Sequence, residues 1–285
     1  MTPAASPRAG PRPAGSLPLA SAPTIVCLHA SGGSGGQWKT LASLMRHEFR
    51  VLTPDLYGHG AAPVWHGAPD EIVAADAERV ARVAADAGGG VHLVGHSYGG
   101  AVALRVALHR PASVASVAVY EPVPMRILFD YNPRHRPAAE VAEVARDVRR
   151  ALNGEDLDGA ARRFIDYWSG AGHWAQMAPE HRTSAARRMT VIDAHFGSLI
   201  GDAVALRDYA NVRCPVLYLT GRQTRASARR MAELLQRALP EVGSLTLDGM
   251  GHLGPIAHAD TVAREIARFI RSEVAAPIAR ERKAA

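Results

Sequence analysis

Val91-His92-Leu93-Val94-Gly95-His96-Ser97-Tyr98-Gly99-Gly100-Ala101-Val102-Ala103-Leu104 is the stretch that decides how this chain reads. An apolar run enters a Gly-x-Ser-x-Gly pentapeptide, and a small-residue, helix-compatible run leaves it. In such a strand–turn–helix the cramped turn pushes the serine hydroxyl out at the edge of a sheet. Glycine is required on either side because a side chain there would collide with the neighbouring strand and helix. Small residues cluster in many turns, so the pentapeptide gains weight from its flanks and from the partners further along the chain.

Outward from this point, short apolar runs alternate with amphipathic stretches, the pattern of parallel strands joined by helices. Strands are expected at 24–28, 50–53, 91–95, 114–120, 215–220 and 244–247. Val73, Ala77, Val80, Ala84 and Ala87 form one helical stripe, broken at Gly88-Gly89-Gly90. Met231, Leu234, Leu235, Ala238 and Leu239 form another before Pro240, and Val262, Ile266, Phe269 and Ile270 a last one, with Asp260 as its expected N-cap. Between Tyr120 and Pro215 the alternation stops and only helical spacing remains, as in Val141, Val144, Ala145, Val148 and Leu152. The expected organisation is a tail at 1–22, an α/β core at 23–122 and 211–275, a helical cap at 123–210 and a C-terminal tail at 276–285. A cap there would cover the carboxyl edge of the sheet, where open α/β sheets bind ligands.

Four segments in order carry a family resemblance: Leu28-His29-Ala30-Ser31-Gly32-Gly33, Asp55-Leu56-Tyr57-Gly58-His59-Gly60, the serine pentapeptide, and Gly249-Met250-Gly251-His252. From about residue 24 to 272 the chain resembles the α/β-hydrolase fold superfamily. The resemblance implies a mostly parallel, doubly wound sheet with an all-helical cap inserted after the sixth core strand, here the one ending at Tyr120. It does not specify a substrate.

Ser97 is the expected nucleophile, and a serine hydroxyl needs a base within hydrogen-bond reach. His252, in a Gly-rich loop after the strand ending at Leu247, fits that role better than His258, and the order serine, acid, histidine is the family's. The acid is where the chain departs from the pattern. The family usually places it three residues after a glycine closing the penultimate strand, and here Gly221-Arg222-Gln223-Thr224 ends in a residue that carries no charge. Glu121, after the strand Val117-Ala118-Val119-Tyr120, is the expected replacement; haloalkane dehalogenases resemble this arrangement. Asp248 and Asp55 stay open as alternatives. The oxyanion hole is expected from the backbone N–H groups of Tyr98 and Ser31. His96, Trp168, Trp174 and Phe196 are the candidate pocket residues, with Met177 beside them.

Two decoys fall away. Gly32-Gly33-Ser34-Gly35-Gly36 also satisfies Gly-x-Ser-x-Gly, but it stands in the oxyanion-loop position and is too flexible to strain one serine. Its continuation Gly36-Gln37-Trp38-Lys39-Thr40 misses a phosphate loop because Trp38 replaces the glycine before the lysine.

Composition bounds the rest. With 47% hydrophobic and 21% charged residues, the chain is an ordinary globular one. Its net charge of +6 comes from arginines interleaved with acids, as solvated helix faces are, so nucleic acid is not an expected partner. Cys27 and Cys214 form no Cys-x-x-Cys pair and the histidines no metal-ligand motif, so no metal and no cofactor are expected. No apolar run approaches a bilayer span, so no membrane partner is expected. The expected protein is a cytoplasmic serine hydrolase of small-molecule esters, working through an acyl-enzyme. The alternatives are a catalytically weak ligand-binding or sensor protein on the same fold, or a hydrolase of amide, lactone or carbon–carbon bonds. A carboxylate-nucleophile dehalogenase or epoxide hydrolase is disfavoured by Ser97.

Overall fold

The computed structural model describes residues 22–284. The expected tail at 1–22 lies, but for its last residue, outside the described residues. Six strands, β1 (Thr24–Leu28), β2 (Arg50–Leu52), β3 (Val91–His96), β4 (Val114–Tyr120), β5 (Val216–Gly221) and β6 (Val242–Leu247), form one sheet in the order β2-β1-β3-β4-β5-β6. Every neighbouring pair is parallel. β1, β3 and β4 are mostly apolar and almost wholly buried because helices cover both faces of the sheet, and the buried His92 and Ser116 bond each other (2.8 Å). β6 is the edge, and there exposure returns along most of the strand.

Helices α1 (Lys39–Met45), α2 (Ile72–Asp86) and α3 (Tyr98–His109) alternate with the first strands. One face of the sheet packs Trp38, Leu41 and Met45 against Val262, Ile266 and Ile270 of the last helix. The other face carries α2 and α3, with Val73, Val80, Val102 and Val106 in a single cluster with β3 and β4. Each such side chain, fully buried, contributes roughly 1.5–3 kcal/mol.

Between β4 and β5 the chain makes helices only: α4 (Arg126–Tyr131), α5 (Arg136–Asn153), α6 (Leu157–Ser169), α7 (His173–Gln176), α8 (Pro179–Ala186) and α9 (Met189–Ile200). β4, which they follow, is the fourth strand along the described chain. α9 is tied to the core by Ser198, whose hydroxyl donates to Asp70 O (2.9 Å) and accepts from Val73 N (3.1 Å). After β5 come α10 (Ala226–Ala238), β6, α11 (Gly254–Ala257) and α12 (Ala259–Ala284). Two details differ from the sequence reading. α12 begins at Ala259, so Asp260 lies in its first turn and is not the N-cap; the same helix runs on through the expected C-terminal tail to Ala284.

The strand order reverses between β1 and β3: the chain moves from β1 to β2 on one side, then crosses to β3 on the other. Register pairs Leu28 with Gly95, His96 with Tyr120, and Tyr120 with Leu219. The loops bearing Ser31, Ser97, Glu121 and Thr224 therefore leave the sheet side by side at its carboxyl edge, at the switch point where such sheets hold ligands. No helix among the described residues is long and apolar enough to cross a membrane.

Candidate active site

Ser97 sits between β3 and α3 with φ 54°, a positive φ that a non-glycine residue adopts at a cost of about 1–3 kcal/mol. The glycines around it are dictated by space. A Cβ on Gly95 would lie 2.5 Å from Gly99 O, and one on Gly99 2.5 Å from Leu28 O. The turn is pinned by Ser97 N donating to Tyr120 O (3.0 Å) and Ala101 N donating to Ser97 O (3.1 Å). The hydroxyl is thereby set at the sheet edge by backbone alone.

His252 Nε2 lies 2.9 Å from Ser97 Oγ, and His252 Nδ1 lies 2.8 Å from Glu121 Oε2. All three residues are buried. A carboxylate only accepts, so Nδ1 carries the proton, and Nε2 is left to accept from the serine hydroxyl. Glu121 itself has φ 42° and is held by Glu121 N donating to Leu219 O (3.0 Å). Its Oε1 accepts from Gly221 N (2.8 Å) and Thr220 Oγ1 (3.1 Å), and its Oε2 also accepts from Thr224 Oγ1 (2.6 Å). Burial works to raise the pKa of this carboxyl. The bond and charge of His252, with the donors at Thr224 and Gly221, outweigh it and hold the group below its ordinary value.

The other acids are elsewhere. Asp248 is exposed and paired with Arg222, and Asp55 accepts from Gly35 N (2.7 Å) and Ala61 N (2.8 Å), bracing two loops.

His96 corrects an expectation. It does not line the cavity; it sits behind the turn, where its Nε2–H donates to His252 O (2.8 Å) and its Nδ1 accepts from the Gln37 amide (3.2 Å). Gln37 Oε1 in turn accepts from Ala30 N (3.2 Å). A directional chain thus ties the loop after β1 to the backbone of His252. Burial pushes the His96 pKa well below the ordinary value, which keeps the neutral tautomer that this chain needs. Tyr120 completes the support of the His252 loop by donating its hydroxyl to Gly251 O (2.7 Å).

Above Ser97 and His252 lies a cavity of about 310 Å³. Trp168, Phe164, Phe196, Met177, Ile192 and Leu199, all from the inserted helices or the loops between them, form much of its apolar wall. Trp168 stacks on the His252 ring with centroids 4.2 Å apart. Phe196 meets Phe164 edge-on at 6.0 Å. Trp174 is buried but does not line this space; it is the second residue of the short α7, where its backbone N–H donates to Asp166 Oδ1 (2.8 Å). Ser34 does not line it either.

The profile of the alpha/beta hydrolase family matches residues 25–265. The chain belongs to the alpha/beta hydrolase family. Among curated proteins, this hydrolase is 29% identical over 260 residues to the pimeloyl-[acyl-carrier protein] methyl ester esterase of Methylococcus capsulatus, covering 88% of this chain and 95% of that one. It is 33% identical over 116 residues to a fluoroacetate dehalogenase from a Burkholderia species, a stretch that spans only 38% of that protein. Among solved structures, an alpha/beta hydrolase from a Medee basin deep-sea metagenome library superposes with a TM-score of 0.73 at 15% identity, covering 90% of this chain and 91% of that one. That likeness is one of fold.

The sequence reading of this hydrolase missed a set of histidines around the loop after β1. His29 Nδ1–H donates to Ala30 O (2.8 Å) while its Nε2 accepts from Leu56 N (3.0 Å). His59 Nδ1–H donates to Tyr57 O (2.9 Å) and its Nε2 accepts from Gly32 N (2.9 Å). Both are neutral braces; burial, first of all, pushes His59 down to about 4. From α9, His195 reaches across to share a hydrogen bond between its Nδ1 and Ser31 Oγ (2.8 Å), and its ring stacks on Tyr98 at 3.6 Å. Tyr98 donates its hydroxyl to Asp76 (2.7 Å), whose pKa burial pushes up to about 6. His195 had a legible signal: with Ile192 and Leu199 it occupies one helical stripe, and a polar residue there interrupts an otherwise apolar face.

Proposed function

We propose that the protein is a serine hydrolase of small-molecule carboxylic esters that works through an acyl-enzyme. The observation that carries this reading is the unbroken hydrogen-bonded line from Ser97 Oγ through His252 to Glu121 (2.9 and 2.8 Å), buried at the foot of an apolar cavity.

In this reading Ser97 Oγ attacks the ester carbonyl carbon as its proton passes to His252 Nε2. The new positive charge on the imidazole faces Glu121 Oε2, whose other partners (Thr224, Thr220 and Gly221) already fix its position. The carbonyl oxygen becomes an oxyanion between the backbone N–H groups of Ser31 and Tyr98, which have no other acceptor among the described residues. Ala30 N–H is engaged with Gln37, which leaves Ser31 as the donor from that loop. Each donor of this kind contributes roughly 10²–10³ in turnover, since it meets charge formed only in the transition state. Collapse breaks the carbon–oxygen bond, and His252 returns the proton to the departing alkoxide. Water, deprotonated by the same nitrogen, then releases the acid and restores Ser97.

The helices between β4 and β5 act as a cap that supplies the acyl or alcohol pocket through Trp168, Phe164 and Phe196. The full-length similarity to a methyl ester esterase supports an ester as the bond. A dehalogenase reading would need a carboxylate at position 97, where this chain has serine. The weak-binding alternative rested on Thr224, and the Glu121–His252 bond removes its main support. The same reading takes the protein to be cytoplasmic, with no nucleic-acid or membrane partner and no cofactor.

The test is hydrolysis of short- and medium-chain p-nitrophenyl esters together with fluorophosphonate labelling. Wild type is expected to turn over and label, and Ser97→Ala to lose at least about 10⁴-fold in kcat and all labelling. An active, labelled Ser97→Ala enzyme would move the nucleophile elsewhere and defeat the proposal.

A further inference from the structure

We infer that the cavity takes esters bearing a free carboxylate, half-esters of dicarboxylic acids, with Arg188 as the residue that binds the carboxylate. The inference rests on the ester-hydrolase reading above and adds a substrate class to it. Arg188 lines the cavity and is half-buried, at the N-terminal end of α9. Several other arginines of the inserted helices meet a carboxylate, among them Arg149 with Asp193, Arg163 with Asp147 and Arg126 with Asp130. Among the described residues the Arg188 guanidinium has no ion pair and no hydrogen bond, and no aspartate or glutamate lines the cavity. A cation drawn out of bulk water without a counter-charge is a loss that an anionic ligand would recover.

The placement along α9 says how such a ligand lies. Arg188, Ile192 and His195 recur at helical spacing and all line the cavity. Two turns, roughly 10 Å of rise, separate the arginine from the histidine. His195 is at the ester end, bonded to Ser31 and stacked on Tyr98. It is buried, and its Nε2 has no hydrogen-bond partner among the described residues. Along α9 that gives the cavity wall two polar points with Ile192 between them, suited to a molecule with an ester at one end, an apolar spacer, and an acid at the other. Among the described residues Arg188 is the one arginine or lysine that lines the cavity, and a single guanidinium matches a singly charged carboxylate, which its planar fork can grip with two parallel bonds.

The test compares kcat/KM for monomethyl adipate and dimethyl adipate, the neutral diester being the internal reference for fold and catalytic step. Wild type is expected to favour the half-ester. Arg188→Gln is expected to lose that preference by roughly 10- to 100-fold, chiefly through KM, and Arg188→Lys to keep part of it. Equal rates on both esters in wild type, or an unchanged ratio in Arg188→Gln, would overturn the inference. Calorimetric binding of monomethyl adipate to Ser97→Ala, with and without Arg188→Gln, reads the same site without turnover. Binding that depends on Arg188 supports the inference even if neither ester is cleaved, in which case the ester-hydrolase reading alone fails. No binding to Ser97→Ala would count against the carboxylate site.

Discussion

The carboxyl ends of β4 and β5 are neighbours on the sheet, Tyr120 opposite Leu219, yet one runs into Glu121 and the other, a few residues on, reaches Thr224. Adjacent parallel strands are only about 4.8 Å apart, so a carboxylate launched from either end can face the same imidazole nitrogen. In this chain it comes from β4. The threonine on β5 has become a donor to that carboxylate at 2.6 Å, and Gly221 N and Thr220 Oγ1 on β5 serve its other oxygen. The carboxylate oxygen that meets His252 Nδ1 at 2.8 Å thus comes from the neighbour of the strand whose loop carries Thr224. The geometry has a local cost, since Glu121 lies at φ 42°, and the neighbouring strand recovers it through bonds to both the backbone and the carboxylate.

Substitutions at these two ends should separate their roles. Glu121→Gln keeps the shape and removes the charge, and the expected loss is about 10³–10⁴ in kcat on p-nitrophenyl esters, measured at saturating substrate. Thr224→Asp puts a second carboxylate against the first in a buried site. Like charges there disfavour ionisation of both, so a loss of about 10-fold in kcat and a lower melting temperature are expected. Thr224→Val removes one hydroxyl donor to a charged acceptor, and about a 10-fold loss in kcat/KM with little change in fold is the expected outcome. A Thr224→Val enzyme as damaged as Glu121→Gln would mean that the carboxylate holds His252 only while Thr224 fixes it.

The smallest expected effect concerns stability. His59 and His92 are pushed down to about 4 by burial, against an ordinary 6.5, and His29, His96 and His195 shift the same way. A neutral buried histidine stabilises the fold fully above the unfolded value, and that contribution is lost as pH falls from about 6.5 toward 4. Asp76, raised to about 6, works in the opposite sense between about 4 and 6, one group against several. The melting temperature should therefore fall by roughly 5–10 °C between pH 7 and pH 5 in a thermal scan. A flat profile over that interval would show that these histidines are no less protonated folded than unfolded.

Much of this was legible in the residues because backbone geometry decides it. The strands end within two residues of their expected bounds, since apolar runs buried on both faces stop where glycine or a charged loop begins. The serine turn was legible for the same reason: at Gly95 and Gly99 no side chain fits. Glu121 could be chosen because it directly follows a strand end and haloalkane dehalogenases resemble that arrangement. Side-chain partners hundreds of atoms away along the chain left weaker traces. His96 stands next to Ser97 and was expected in the pocket, but the strained turn sends the two side chains to different sides. Trp168 and Trp174 are equally aromatic, and only the packing of α6 against α7 decides which one meets His252. The partnership of Ser31 with His195 spans the core and the inserted helices and has no local periodicity to announce it.

The carboxylate facing His252 is delivered by β4 in place of β5. The decisive comparison is kcat/KM of Glu121→Gln beside the double variant Glu121→Gln with Thr224→Asp, on the same p-nitrophenyl ester. The single variant is expected to fall by about 10³-fold or more, and activity to recover by at least about 10-fold when a carboxylate is returned from the neighbouring strand. Glu121→Gln activity within a few-fold of wild type would contradict it.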